Sequence, residues 1–527
     1  MSKPLTRANF PSVPPLPPAS APPSTIAHIG VGGFHRSHQA FVLNSLISSS
    51  STPWRILGVG LMPWDKKMVD VLASQDFLYS VNLRSASQDT CEIVQAITSM
   101  TYLPEEGVTA ALLEARIVSL TVTEKGYYQS PAGGLDFSNE LIAEDIKNFS
   151  ATFTPKTAHG LICLIALHHK TSGTTPPTVA SSDNLPMNGD TTRGVVLAFA
   201  GAVDEELKAY MSEKMSFPNS MVDRITPVTT DAVRAGVKEK HGIEDQWPVV
   251  AEPFLQWVIE DKFTNGRPDW DEVEGVLFTG DVEPYEFMKL RLLNSSHSAL
   301  SYLSLLLGHT HVHSAMADPS VAAFVRLYME GLVATLDPVP GVDLDRYCEQ
   351  LVERFSNPEI ADTLARLALD GTQKFNATLP LALGKMKAEG APPPAVCFAF
   401  ACFAKWCGGG GEVDDPKKEE LVALAGGVEG AEGMGKFLAL FVGGGDGVGE
   451  WLAEDCYNSF VGLAEGGVRE SCDALTGGKK RRRGGGGAPL KTLFDSAIAI
   501  PADAGITAYN WADGADPDAF PSWGGLK

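Results

Sequence analysis

The segment Ile26-Ala-His-Ile29-Gly30-Val31-Gly32-Gly33-Phe34-His35-Arg-Ser-His38 constrains this chain more than any other. A short apolar strand runs into a glycine turn, and a helix-like stretch (Gln39 to Ile47) follows. In this strand–turn–helix context glycines let the backbone approach a pyrophosphate at a helix N-terminus. The third glycine of the usual pattern is replaced by His35, and an extra glycine stands at Gly33. Ile29, Gly30, Val31, Gly32, Gly33, Phe34 and His35 are therefore candidate cofactor-binding residues. A second strand, Trp54–Leu61, follows and delivers Asp65 just past its end. An acid there hydrogen-bonds a ribose 2′-hydroxyl and repels a 2′-phosphate, which points to NAD. Asp65 lies further along than the usual spacing, and Lys66 and Lys67 beside it could soften the discrimination.

Apolar strands and helical stretches alternate from residue 26 to about 280. The strand candidates are Ile26–Val31, Ile56–Leu61, Ile117–Val122, Leu161–Leu167, Thr178–Ala180 and Val249–Ala251. Such alternation predicts a doubly wound, Rossmann-type α/β domain over residues 25–282. From about Glu283 the text turns helical, predicting a mostly α-helical second domain over residues 283–527. Leu344 to Phe355 is amphipathic, Ser356-Asn-Pro-Glu359 reads as a capping box, and Gly371 reads as a helix stop. Glycine-rich stretches near 408–411, 443–450 and 477–488 read as solvated inserts, the last enclosing the basic run Lys479–Arg483. Residues 1–24 are proline-rich and read as an extended tail without the apolar core of a signal peptide.

The second informative segment is Glu286-Phe-Met-Lys289-Leu-Arg-Leu-Leu-Asn294-Ser-Ser-His297. Leu290, Leu293, Leu300, Leu303 and Leu306 mark an apolar helical face uninterrupted by Gly or Pro. Asn294 and His297, three apart, share a face, and Lys289 falls at its edge. Lys, Asn and His on a half-buried helix are costly unless paired or working. A desolvated lysine can lose its proton near neutrality, and Asn and His can hold an oxygen whose charge changes during reaction.

Five blocks occur in one order. They are the glycine turn Gly30–His38, then Thr121-Val-Thr-Glu-Lys-Gly-Tyr-Tyr128, Ser182-Asp-Asn184-Leu-Pro-Met-Asn-Gly189, Val222-Asp223-Arg-Ile-Thr-Pro227 and Lys289-x4-Asn294-x2-His297. Together they resemble the mannitol dehydrogenase family of polyol-specific long-chain dehydrogenases/reductases, over roughly residues 24 to 405. The resemblance implies NAD-dependent, metal-independent interconversion of D-mannitol and D-fructose. Lys289 would be the general acid/base, with Glu286 tuning or relaying its proton. Asn184 and Asn294 would stabilise the alkoxide-like oxygen, and His297 would bond substrate or fix Lys289. Asp223, Arg366 and Lys374 would contact distal hydroxyls. Without the resemblance, Asn184 reads as an Asx-turn, Asp223 and Arg366 as ion-pair partners, and Lys374 as a solvated lysine.

A formal charge of −22 over 527 residues argues against nucleic acid, which needs a basic footprint. The eight cysteines form no Cys-x-x-Cys pair, as suits a reducing compartment. No segment has the length of a membrane span, so a cytoplasmic monomer acting on a small polyol or ketose is the expectation. His309-Thr-His311-Val-His313 would share one face only on a strand; it reads as a polar helix exit, His168-His169 reads as a strand end, and no metal is assigned. The rival functions are a fructuronate or tagaturonate reductase, which needs a cation for the substrate carboxylate, and an arabinitol or sorbitol dehydrogenase. A rival of another class is a non-catalytic dinucleotide-binding partner using Lys479–Arg483.

Overall fold

Strands Ile97–Tyr102, Trp54–Gly60, Ser24–Ile29, Ile117–Leu120 and Thr178–Ser181 lie side by side in that order, every neighbouring pair parallel. Numbered along the chain the order is 3-2-1-4-5, that of the doubly wound Rossmann sheet. Successive side chains of each strand face opposite layers. Ile26, Ile56 and Ile117 join one core with helices Gln39–Ser49 and Asp65–Ser74. Ala27, Leu57, Val118 and Val179 join the other with helices Ala158–Ser172 and Asn188–Val203. Burial on both faces explains why these strands read as apolar runs.

This computed structural model describes residues 2–13, 24–49, 52–130, 133–390, 392–442, 447–465 and 467–477. The described residues up to Thr476 form one compact unit. The prolines from Pro14 to Pro23, the glycines from Gly443 to Gly445, the run Lys479–Arg483 and Gly484–Gly487 lie outside the described residues.

Beyond Glu283 the described chain is helical, around a core drawn from nearly all of its helices. Leu344–Phe355 is a helix, with Tyr347, Leu351, Val352 and Phe355 buried on one face. Among the described residues no helix is long and apolar enough to cross a membrane.

Several expectations are corrected. Leu161–Leu167 is not a strand but the middle of helix Ala158–Ser172, and His168-His169 sit near its end, His169 in the last turn. Thr157 Oγ1 accepts from Gly160 N at 3.1 Å to start that helix, and Gly173 ends it at φ +68°. Val249–Ala251 is a strand outside the Rossmann sheet; it pairs with Tyr79–Arg84, which pairs in turn with Asp89–Val94. Ser356–Glu359 forms a turn, with Asn357 Oδ1 accepting from Glu359 N. Gly371 starts helix Gly371–Thr378 instead of ending one; a Cβ there would lie 2.1 Å from the Tyr302 hydroxyl. The head of the tail is ordered as well: Lys3–Pro4 pairs with Ile243–Glu244, and Leu5 is buried against Leu78 and Val237.

Candidate active site

The carboxyl ends of four adjacent strands, Trp54–Gly60, Ser24–Ile29, Ile117–Leu120 and Thr178–Ser181, line the edge where strand order reverses, the place where open α/β sheets bind ligands. From Ser24–Ile29 the chain enters the glycine turn. Gly30 has φ +90°, and a Cβ on it would lie 2.3 Å from Thr121 O, so glycine is required there by the protein itself. Thr121 clamps the turn, its hydroxyl donating to Gly30 O at 2.7 Å and its N–H to Ile29 O at 3.0 Å. Gly32 differs. It is extended, and a Cβ there would meet nothing nearer than Gly30 O at 3.9 Å. Its neighbours do not demand glycine. Helix Gly33–Ser37 starts at this bare residue with no side-chain cap.

Beneath the turn, buried His28 bonds Ser119 Oγ at 2.8 Å and Thr121 Oγ1 at 2.9 Å, and the His35 ring stacks on it. Burial holds His28 neutral, down to about 3, and pushes His35 well below the ordinary histidine value. At the end of Trp54–Gly60, Asp65 Oδ2 accepts from Leu61 N and Met62 N, both at 2.9 Å. One carboxylate oxygen thus shapes the turn, leaving Oδ1 as the oxygen available to a ribose. Lys66 is shared between Asp70 and Glu105, and Lys67 lies over the Trp247 ring.

The edge strand Thr178–Ser181 runs into the loop that displays Asn184. Asp183 accepts from Val122 N, Thr123 N and the Tyr127 hydroxyl, tying the Thr121–Tyr128 block to this loop. Asn188 Nδ2 donates to Asp183 O and Ser220 O. Between these anchors Asn184 is exposed, and its Oδ1 accepts from Lys289 Nζ at 2.6 Å.

Lys289 is 8% exposed. Burial lowers its pKa from the ordinary lysine value; Asp223 opposes that shift, Arg354 adds to it and Glu286 opposes it. The segment carrying it is helical, as its periodicity predicts, with one departure: Lys289–Asn294 is π-helical between α-helices Glu283–Met288 and Ser295–Leu306. Hydrogen bonding from i to i+5 sets residues five apart on one face, so Lys289 and Asn294 share the face instead of meeting at its edge. Asn294 is half-buried. One turn before the lysine, Glu286 Oε1 accepts from Met187 N at 2.9 Å. Burial raises its carboxyl to about 7, against the Met187 N–H and Lys289. The His297 ring packs on Phe355 at 4.5 Å between centroids, and burial takes it down to about 3.

The distal residues are engaged within the protein. Both Asp223 oxygens accept from Arg354, at 2.7 and 2.8 Å. Arg366 Nε donates to Asp362 at 2.7 Å, and the two side chains form an ion pair. Lys374 Nζ donates to Leu367 O at 3.0 Å; burial, then Arg366, lowers its pKa to about 8. His311 precedes the short helix Val312–Met316, so the three histidines do not alternate along a strand. Among the described residues no group of three His, Cys, Asp or Glu gathers as a metal set.

A family model of the mannitol dehydrogenase Rossmann domain matches residues 24–272, and one of the mannitol dehydrogenase C-terminal domain matches residues 281–441. Mannitol 2-dehydrogenase of Pyricularia oryzae is 41% identical over 415 residues, 76% of this chain and 82% of that protein. Mannitol dehydrogenase 2 of Saccharomyces cerevisiae is 40% identical over 444 residues, 80% of this chain and 86% of that protein. The chain belongs to the mannitol dehydrogenase family. Among solved structures, Pseudomonas fluorescens mannitol 2-dehydrogenase in ternary complex with NAD and D-mannitol superposes with a TM-score of 0.76 at 37% identity, covering 90% of this chain and 99% of that one. A substrate-free D-sorbitol dehydrogenase superposes with a TM-score of 0.79 at 30% identity, covering 89% and 100%.

In this member of the mannitol dehydrogenase family, sequence reasoning missed Arg354, Glu252 and Asp183. Arg354 carried a signal: positions 350, 351, 357 and 358 are Gln, Leu, Asn and Pro, so the arginine has no carboxylate at helical spacing. A helical cation without a local partner, next to a buried Phe355, invites a search for a distant one.

Proposed function

We propose that this polyol dehydrogenase interconverts D-mannitol and D-fructose with NAD, without a metal, using Lys289 as general acid/base. The observation that carries the reading is the buried Lys289 Nζ held on Asn184 Oδ1 at 2.6 Å, at the sheet edge that also carries the glycine turn. The relatives named mannitol 2-dehydrogenase and the NAD and D-mannitol in the Pseudomonas enzyme support it.

The turn Ile29–His35 and Asp65 would hold the dinucleotide, the bare Gly32 backbone leaving room for its pyrophosphate. Bound there, NAD supplies the hydride acceptor. The chain's own residues do the rest. A neutral lysine amine has one lone pair, and the bond to Asn184 Oδ1 occupies an N–H, leaving that lone pair for the substrate hydroxyl proton. With its Oδ1 taken, Asn184 has its Nδ2 to donate. With Asn294 one π-turn from Lys289, two amides serve the oxygen that becomes a carbonyl. Glu286, raised to about 7, is suited to pass the proton outward. In fructose reduction the lysine ammonium donates instead.

A uronate reductase needs a free cation for the carboxylate. Here Arg366 is paired with Asp362 and Lys374 Nζ is engaged by Leu367 O, which favours neutral polyols.

A panel of polyols, ketoses and hexuronates with NAD⁺ or NADH tests the reading. Mannitol and fructose should give the highest kcat/KM. A uronate at the top would transfer the function to uronate reduction, and no turnover on any sugar would sink the enzymatic reading. NADH should be preferred to NADPH. Asp65→Asn, which keeps an acceptor for the Leu61 and Met62 amides but removes the charge, should improve NADPH use while retaining NADH use.

A further inference from the structure

The Arg354 side chain is 7% exposed and bridges two acids from the Rossmann half, themselves 4% and 3% exposed. Its Nη1 and Nη2 donate to Asp223, at the end of strand Ser220–Asp223, at 2.7 and 2.8 Å. Its Nε and Nη2 donate to Glu252 at 2.9 and 2.8 Å. Glu252 Oε1 also accepts from Ile225 N at 2.6 Å, so the acids and the backbone after Asp223 form one unit. The neighbouring residues of that unit reach the other way. Arg224 Nη1 donates to Ser37 O at 2.6 Å, and Thr226 Oγ1 lies 2.8 Å from Ser37 Oγ. Ser37 ends the short helix that follows the glycine turn. Residues 223–226 are thus anchored on the cofactor side by Ser37 and on the opposite side by Arg354.

The charged and titratable groups facing Lys289 are Asp223, Arg354 and Glu286, with His38 beside them. Arg354 lines a small cavity with His297, Ile225, Phe355, Asn357 and Asp362. Resting on the polyol dehydrogenase reading above, we infer that Arg354 is a positioning residue for that reaction. Its fork aims Asp223 at the bound polyol and sets a positive charge against the aspartate's, so that Lys289 feels the difference between the two. The anchors at Ser37 do not depend on the fork, so the cofactor side stays in place when the fork is lost. A cation that merely filled space would not separate these two effects.

Two variants read them. Arg354→Lys keeps one charge but cannot span both carboxylates with a planar fork. It should lose at least about tenfold in kcat/KM for mannitol, chiefly through KM, with NADH affinity within about twofold of wild type. The pH profile of oxidation should keep its shape, because the charge is kept. The double variant Arg354→Met/Glu252→Gln removes one cation and one carboxylate, leaving the net buried charge as it was and Asp223 unbalanced. An unbalanced aspartate holds the Lys289 proton more tightly. The rising limb of mannitol oxidation should then move about 1 pH unit upward.

Far-ultraviolet circular dichroism and melting establish that each variant folds. The inference is overturned if folded Arg354→Lys keeps wild-type kcat/KM, or if its NADH affinity falls in step with its mannitol KM. It is equally overturned by a folded double variant with an unmoved profile. Where the double variant does not fold, Arg354→Lys decides alone. A wild type that oxidises no polyol defeats the functional reading before any variant is made; an active wild type with an indifferent lysine variant defeats only the role of Arg354.

Discussion

The glycine turn and the lysine helix face one crevice, yet they are held in place by different physics. Gly30 is specified by sterics: a left-handed φ and a carbonyl 2.3 Å from where a Cβ would stand. Lys289 is specified by charge and solvation, a buried amine set among Asp223, Arg354 and Glu286 with one amide oxygen on it. A steric specification fails abruptly and is indifferent to pH. An electrostatic one fails by degrees and is written into the pH profile.

The largest effect expected on the electrostatic side is at Lys289. Lys289→Ala should lower turnover by about 10²–10⁴-fold with cofactor affinity intact, and added primary amines should restore part of it. Burial lowers the lysine pKa, and the proposed mechanism needs the neutral amine for oxidation. Initial rates of mannitol oxidation should therefore rise with pH through an ionisation below the free-lysine value of about 10.4, while fructose reduction falls through its own. A Lys289→Met profile identical in shape to wild type would move the role to Glu286.

Next come the amides. Asn294→Ala and Asn184→Ala should each cost about 10²–10³-fold in turnover, as for a lost oxyanion donor. If both hold one oxygen, the double variant should lose less than the product of the single losses. Strict multiplicativity would place them at separate tasks. Asn184→Ala should also alter the pH profile, since it removes the oxygen bound to Lys289 Nζ, whereas Asn294→Ala should not.

On the steric side the two glycines should separate cleanly. Gly30→Ala should melt at least about 5 °C lower, from backbone strain and the clash with Thr121. Gly32→Ala should melt as wild type does and weaken NADH binding about tenfold, because only the dinucleotide needs that space. Equal melting losses for both would mean that Gly32 too is demanded by the fold. The smallest effect should come from chelation: dialysis against a strong chelator should leave activity unchanged. Zinc-restored activity would turn attention to His309, His311 and His313.

Patterns local to a few residues were legible in the sequence. Strand Ser24–Ile29, its glycine turn and helix Leu344–Phe355 follow from period and punctuation. Leu161–Leu167 was misread because a helix buried on nearly every side shows no period, and a seven-residue apolar run fits strand and helix alike. Its true length was signalled by Thr157 and Gly173, beyond the run itself. The bond of Lys289 to Asn184 spans 105 positions and was not foreseen; family likeness put the two residues in one site without pairing them. The Arg354 fork spans 131 positions to Asp223 and 102 to Glu252, distances over which charge patterning says nothing. The role of Asp65 in closing its own turn was likewise invisible, since it depends on backbone amides that every residue carries.

The π-helical stretch can be read as a unit of descent. Lys289, Asn294 and His297 stand at relative positions 0, 5 and 8; an ordinary α-helical face would use 0, 4 and 7. The two sets differ by a single residue, so the segment is equivalent to a regular helix that has received one codon. Removing that codon would return the three side chains to 0, 4 and 7, still on one face, with Lys289 in an unchanged relation to Glu286 one turn before it. The additional residue is thus absorbed inside the segment, and the α-helices on either side keep the phase they would have without it.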